Sequence, residues 1–400
     1  MRWPVRLGGA LVGAALLGAC ALDTSATSAW EAVETDLRSP SVVISPAARA
    51  SSARPTVLVY LAGHLRTFLL IAPQMKALLD SMAGGPDGYV VYMHTWDELD
   101  HRDAVWWRRK AEADPARVNL RPPDVAASLS DPTLNALFAD RRFVARVDSH
   151  PGSAAISQKY GTAALNAQCG GHGLKCIDHT AAQLHELHVT HALARAHLRS
   201  LGAWPMDRGA GAGARTDGGE RTPVIKSRPD VLLSEGWKAH ASIGRMAKAF
   251  GSSLGERRCL GHSGPWPGGW GDIAWVMPLG AVQVVLDATT ASRLAPLLLD
   301  DAAGDFRTYR PLVSAKAAGE YHAEQAWREI LIKAGVRSFV TGWFAGLAKA
   351  RLARLADGRL GIDKWHCYRA KAWQELGVWL RAKGFALEWA PVAPRLAGDQ

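Results

Sequence analysis

Thr56-Val57-Leu58-Val59-Tyr60-Leu61-Ala62-Gly63-His64-Leu65-Arg66-Thr67-Phe68 opens the stretch that decides the fold, and Tyr89-Val90-Val91-Tyr92-Met93-His94-Thr95-Trp96 closes it. The apolar, β-branched run at its start predicts a buried strand over Val57–Leu61. A helix-like segment follows through Ala77-Leu78-Leu79, and Gly84-Gly85-Pro86-Asp87-Gly88 breaks it. The second run predicts another strand, ending on His94-Thr95-Trp96. Strand, loop, helix, strand is the opening unit of a parallel α/β sheet. In such sheets ligands bind beyond the carboxyl ends of the strands, and both ends here carry hydrogen-bonding groups. Gly63 lets a backbone approach a ligand, Arg66 offers a planar fork for phosphate or carboxylate, and His94 and Trp96 line the neighbouring strand end. Arg66 and His94 can equally serve to tie loops to the sheet.

Working outward, the 400-residue chain is 48% hydrophobic and 21% charged, an ordinary globular balance able to bury one large core or two modest ones. Its net charge of +10 suits an anionic ligand such as a nucleotide diphosphate, a phospholipid surface or nucleic acid. The densest basic patch, Trp106-Trp107-Arg108-Arg109-Lys110, is too short for a nucleic-acid tail and reads as a solvated helix face. Nucleic acid is not expected as a partner.

Arg2 and Arg6 precede an uncharged apolar run over 7–22. That run is short for a spanning helix, which needs about 20 residues. A cleaved signal peptide or a short signal anchor over residues 1–22 both fit. Leu17-Gly18-Ala19-Cys20 also resembles a bacterial lipoprotein box, with chance in an Ala/Leu-rich stretch as the plain alternative. Either way the body of the chain is expected to be exported. Residues 23–55, rich in Ser, Thr, Ala and Pro, read as a flexible stem, and 56–400 as a single domain. Beyond Cys20 stand Cys169, Cys176, Cys259 and Cys367. In an exported chain they permit two disulfides, with Cys169 and Cys176 closing a Gly-rich loop and Cys259 left for Cys367. The rival is a zinc site from Cys169, His172, Cys176 and His179, whose spacing is not that of a usual finger.

Along the domain, Phe143-Val144-Ala145-Arg146-Val147 predicts a short strand. The clearest helix is expected over Thr180–Leu201, with Leu184, Leu187, His191, Ala194 and Leu198 on one face and Asp178 or Thr180 as its cap. His185, His188, His191 and His197 share that helix without the carboxylate pairing of a catalytic zinc helix, so packed or solvated histidines are expected. Pro205–Pro223 reads as a low-complexity surface insertion. Its Gly209-Ala210-Gly211-Ala212-Gly213-Ala214 matches a dinucleotide fingerprint only formally, with neither strand before nor helix after.

Next, Val224-Ile225-Lys226-Ser227-Arg228-Pro229-Asp230 predicts a strand that delivers Lys226, Arg228 and Asp230 to one side. Two cations and a carboxylate there make a platform for diphosphate and metal, or else a structural Arg–Asp pair. Asp272 precedes an expected strand, Ile273-Ala274-Trp275-Val276-Met277, and suits a metal ligand, a hydroxyl acceptor or a cap. Glu324 opens a helix, as a catalytic base or as a charge favoured by the helix dipole. The Trp-rich tail over 340–400 is expected to be helical.

The Gly63-x-x-Arg66-Thr67-Phe68 and His94-Thr95-Trp96 motifs, with Arg228-Pro229-Asp230 and the Asp272 strand in the same order, resemble a group of bacterial and algal glycosyltransferases with a GT-A-like fold. The usual motifs of that group read Ser-Gly-Gln-Leu-Arg-Thr-Phe and Asp-Val-Phe-Ile-His-Thr-Trp. This chain departs from them at Ala62, at His64 and over Val90–Met93, and carries Lys226 where the group has Arg. The resemblance spans about 56–336. It implies a GT-A-like α/β domain, a mostly parallel twisted sheet flanked by helices, that transfers a sugar from a nucleotide sugar to a glycan or glycoprotein hydroxyl. Donor contacts would come from Gly63, Arg66, Thr67, His94, Trp96, Lys226 and Arg228. Asp230, Asp272 and Glu324 would supply catalytic carboxylates, with Asp230 the candidate ligand for a divalent Mn or Mg. The lone Asp230 is not an Asp-x-Asp pair, so metal dependence stays open. A secretory-pathway location, Golgi or endoplasmic reticulum lumen behind the N-terminal membrane anchor, is expected because nucleotide sugars are delivered there. A bacterial envelope lipoprotein or a secreted protein is the alternative compartment. The competing function is a non-catalytic exported carbohydrate-binding protein.

Overall fold

The computed structural model describes residues 42–44, 55–65, 68–85, 88–97, 129, 143–162, 176–210, 217–229, 258–263, 270–299, 323–340, 349–354 and 360–366. In chain order the elements begin with β1 (Val42–Ile44), β2 (Val57–Ala62), α1 (Phe68–Ala83), β3 (Tyr89–Trp96), β4 (Phe143–Asp148), α2 (Ser153–Tyr160) and α3 (Cys176–Ser200). They continue with α4 (Asp217–Glu220), β5 (Pro223–Ser227), β6 (Arg258–Ser263), β7 (Trp270–Pro278), α5 (Leu279–Ala288), α6 (Leu294–Leu299) and α7 (Ala323–Lys333). The last three are β8 (Arg337–Val340), β9 (Lys349–Arg354) and β10 (Leu360–His366).

Eight strands form one mixed sheet in the order β1-β4-β3-β2-β5-β7-β6-β8. Its centre, β4-β3-β2-β5, is parallel throughout, and helices cover it, so the fold is α/β with a mostly parallel sheet at its heart. The apolar run over Val57–Ala62 is buried at every position, as a strand covered on both faces must be. β7 runs antiparallel between β5 and β6, and β8 pairs parallel with β6.

Register sorts the strand residues into rows. On one face Leu58, Tyr60, Val90, Tyr92, Val144, Val224, Trp275 and Met277 join a single core with α3, α5 and α7. The row Val144, Tyr92, Tyr60, Lys226, Trp275 crosses five strands, and the next row towards the carboxyl ends is Arg146, His94, Ala62. On the other face Phe143 stacks on Phe68 at the start of α1, with ring centroids 5.9 Å apart. α1 also buries Ala72, Met75, Leu78 and Leu79.

α3 is the spine of the molecule. Leu184, Leu187, His191, Ala194 and Leu198 are all buried, as their spacing predicts. Each such leucine contributes roughly 1.5–3 kcal/mol relative to an exposed one. The helix starts at Cys176, so Asp178 and Thr180 stand inside it and are not its caps. Ahead of it, α2 ends on Gly161 in the left-handed conformation, φ 64°, where glycine carries no Cβ penalty.

Three expectations are corrected. Val42–Ile44, inside the expected stem, pairs antiparallel with β4 as an edge strand, because three β-branched residues in a row favour that geometry even in a polar setting. Within 205–223, Pro205–Ala210 forms a 3₁₀ turn and Asp217–Glu220 a helical turn, and Pro223 already belongs to β5. In the expected helical tail, β9 and β10 pair antiparallel as a separate two-stranded sheet. Antiparallel pairing of β9 with β10 outweighs the Ala/Arg/Leu composition of the segment. Among the described residues no helix is long and apolar enough to cross a membrane. The segment 1–22, the basic patch at 106–110, Cys20, Cys169, His172 and Cys367 lie outside the described residues.

Candidate functional site

β2 is hydrogen-bonded to β3 on one side and to β5 on the other, all three parallel. The chain leaves β2 for β3 and β4 in one direction and returns past β2 to β5 in the other. Ligand crevices in open α/β sheets form where the winding reverses in this way, outside the carboxyl ends of the two strands. Here that point lies between Gly63, just past β2, and Arg228-Pro229, just past β5. Gly63 has φ 132°, and a β-carbon placed on it would stand 3.5 Å from Pro229 Cδ and 3.9 Å from Glu186 Oε2. The two strand ends and α3 therefore meet at one place.

The neighbouring ends are built around Trp96. Its indole N–H donates to Glu186 Oε1 at 2.7 Å. His185 stacks on its face with centroids 5.8 Å apart and planes 11° off parallel. His94 and His150 approach edge-on at 4.7 and 4.8 Å. His94 is wholly buried, and its Nε2–H donates to Asp148 Oδ2 at 3.0 Å. Arg146 Nε donates to both oxygens of the same carboxylate, at 3.0 and 2.8 Å. Asp148 thus couples Arg146 to His94, while His94 Nδ1 has no hydrogen-bond partner among the described residues.

Deeper in the same face, histidines of α3 bind tyrosines of the sheet. Gln283 gives an N–H to Asp287 Oδ1 at 2.8 Å, so its Oε1 accepts from His191 Nε2–H at 3.0 Å. That leaves His191 Nδ1 to accept from the Tyr60 hydroxyl at 3.1 Å. His188 Nε2–H donates to the Thr289 carbonyl at 3.0 Å. His197 Nδ1 is 3.1 Å from the Tyr92 hydroxyl. Burial holds His191 down at about 3 and His188 at about 4, and it also lowers His185 and His197. The same burial raises the hydroxyls of Tyr60 and Tyr92. These histidines are neutral packing groups, and the partners of His188 and His191 define their tautomers.

The expected site residues separate into those at the edge and those below it. Gly63 and the half-buried Arg228 flank this reversal point. Trp96 and His94 line the same strand ends from within rather than on an open surface. Lys226 shares a sheet face with Tyr60 and Trp275, one row below the edge, and is 1% exposed. Asp272 lies inside β7, not ahead of it. β7 is antiparallel to β5 with Ala274 opposite Ser227, so Asp272, two residues beyond, comes level with Pro229 at the carboxyl edge. Glu324 is the second residue of α7, as expected. One turn on, Trp327 donates to Gln183 of α3 at 2.6 Å, which brings the start of α7 to the same end of the sheet. Arg66, Thr67 and Asp230 lie outside the described residues. Among the described residues no group of three His, Cys, Asp or Glu side chains is placed to hold a metal ion.

Glu186 is the residue that motif reading misses. Its signal was present, since residues 181–194 contain no Asp, Lys, Arg or other Glu. A helical stretch so poor in charge is buried on all sides, and a single carboxylate in it must be partnered or put to use. Compared with known proteins, the chain matches no family model and no curated sequence.

Proposed function

We propose that the chain is a glycosyltransferase that moves a sugar from a nucleotide-sugar donor to a hydroxyl of a glycan or glycoprotein. The observation that carries this reading is the meeting of Gly63, Arg228-Pro229 and Glu186 at the reversal point of a parallel sheet. A diphosphate fits such a place, because a glycine loop admits close backbone approach and a guanidinium pairs with phosphate oxygens. Arg228, together with Arg66, three residues after Gly63 in sequence, stabilises the charge that develops on the leaving diphosphate. Lys226 adds positive potential from below. Asp272 and Glu324, whose backbones reach the same edge, are the candidate bases for the acceptor hydroxyl. Asp230 contacts the donor sugar or a divalent Mn or Mg.

The test is a panel of nucleotide sugars incubated with the full chain, with and without Mn²⁺, following sugar release and transfer. Asp230→Asn is expected to abolish transfer while the thermal midpoint moves by no more than a few degrees, roughly the effect of a surface substitution. Arg66→Lys keeps a charge but loses the two-pronged fork, so donor affinity falls. Full activity in Asp230→Asn with an unchanged nucleotide Kd in Arg66→Lys would remove both residues from the mechanism. Glycan binding without turnover of any donor is what the carbohydrate-binding alternative predicts.

A further inference from the structure

α2 follows the carboxyl end of β4 and is eight residues long, about two turns, too short to hold as a helix on its own. It buries Ile156, Ser157 and Tyr160 and exposes Ala154, Ala155, Gln158 and Lys159. Glycine flanks it at both ends, Gly152 at φ 85° and Gly161 at φ 64°. A short, half-exposed helix between two glycines has the build of a segment that opens locally, with the glycines taking up the backbone rotation.

Its last turn rests on a histidine of α3. The Tyr160 hydroxyl stands 3.4 Å from His185 Nδ1, and the two rings meet edge to face with centroids 6.1 Å apart. The same imidazole stacks on Trp96, and His94 stands edge-on to it at 6.2 Å. These surroundings favour the neutral ring. Burial is the main cause, and Lys159 of α2, His94 of β3 and His188 of the same helix add to it. Asp148 of β4 acts the other way, but its carboxylate is already shared between His94 and Arg146. Glu186, next to His185 in the chain, is bonded to the Trp96 indole. An indole face also favours a charged ring, yet the balance holds His185 well below the usual histidine range.

When α2 lifts, Tyr160 uncovers Nδ1 to water and Lys159 moves away. The open form then takes up a proton in the ordinary range, near about pH 6.5. Below that value the open form binds more protons than the closed one. α2 therefore stays closed above about pH 6.5 and opens increasingly as pH falls. We infer that α2 is an acid-released strap beside the carboxyl ends of β3 and β4, hinged at Gly152 and Gly161 and latched by Tyr160 on His185. The event is local, since His188 and His191 face other elements, α5 and β2. It does not depend on the glycosyltransferase reading.

Hydrogen-exchange mass spectrometry of the full chain at pH 7.5 and pH 5.0, corrected for the intrinsic effect of pH on exchange, reads this opening. Peptides covering 153–160 are expected to be less protected at pH 7.5 than those covering 184–194. At pH 5.0 they are expected to lose about tenfold or more of that protection. In His185→Phe, whose ring is flat and uncharged at both pH values, the acid loss over 153–160 is expected to disappear. Should His185→Phe fail to fold, His185→Gln is read in the same way, since it keeps an acceptor for Tyr160 and does not titrate. An acid loss of the same size in the non-titrating variant overturns the proposal. So do two results on the parent alone: equal protection of 153–160 at both pH values, or protection there as strong as over 184–194 at pH 7.5.

Discussion

Gly63 carries the geometry of the proposed site in a single backbone angle. A methyl group there would meet Pro229 and Glu186 at ordinary contact distances, so space is not the obstacle. The obstacle is φ of 132°, which side-chain-bearing residues rarely adopt. Gly63→Ala is expected to cost about 1–3 kcal/mol in urea unfolding, the usual range for a residue held in a strained conformation. A variant as stable as its parent would show that the loop after β2 is not held as described. Glu186 lies at the same scale. Its spacing among Leu184 and Leu187 suggests only one more position on a helix, and its partner, Trp96, is 90 residues away in sequence. Local pattern carries no record of such a distant pairing. The lack of other charge around it was the only trace.

At the scale of the element, α3 holds the sheet through neutral imidazoles. In the folded chain His188 and His191 are depressed to about 4 and about 3 by burial, against about 6.5 when exposed. Between those values the unfolded chain binds more protons, so stability is complete above about pH 6.5 and falls as pH drops through this window. The charges around these rings, Lys159 and Arg195, also oppose protonation. Each site should lose about 1.4 kcal/mol per pH unit within the window. Urea unfolding at pH 7.5 and pH 5.0 is expected to differ by about 2 kcal/mol or more. Equal stabilities would mean that the α3 histidines are solvated. The elements legible in the sequence were those whose period is unmistakable, namely β2, β3, β4 and the apolar face of α3. β1 has only three residues, and β9, Lys-Ala-Arg-Leu-Ala-Arg, has the composition of a helix. β1 is too short to be legible before its pairing with the distant β4, and in β9 the pairing with the next strand, β10, overrides local preference. The alternation expected to deliver Lys226, Arg228 and Asp230 to one side leaves Lys226 buried one row below the edge, since periodicity gives the face and not the depth.

For the molecule as a whole, the order β4-β3-β2-β5 matters more than any single motif. It brings to one edge the ends of β2 and β5, the start of β7 with Asp272, the start of α7 with Glu324, and Glu186 from α3. In sequence these residues span 63 to 324, and no spacing rule connects them. On the proposed function, the ligand binds at this edge, at the reversal between β2 and β5. Hydrogen-exchange mass spectrometry of the full chain, with and without a saturating nucleotide sugar, tests it most directly. Slowed exchange confined to peptides covering 62–65, 227–229 and 183–187 is the predicted result. Protection confined to the opposite edge, around Thr56 and Gly88 at the strand starts, or to β9 and β10, would contradict it.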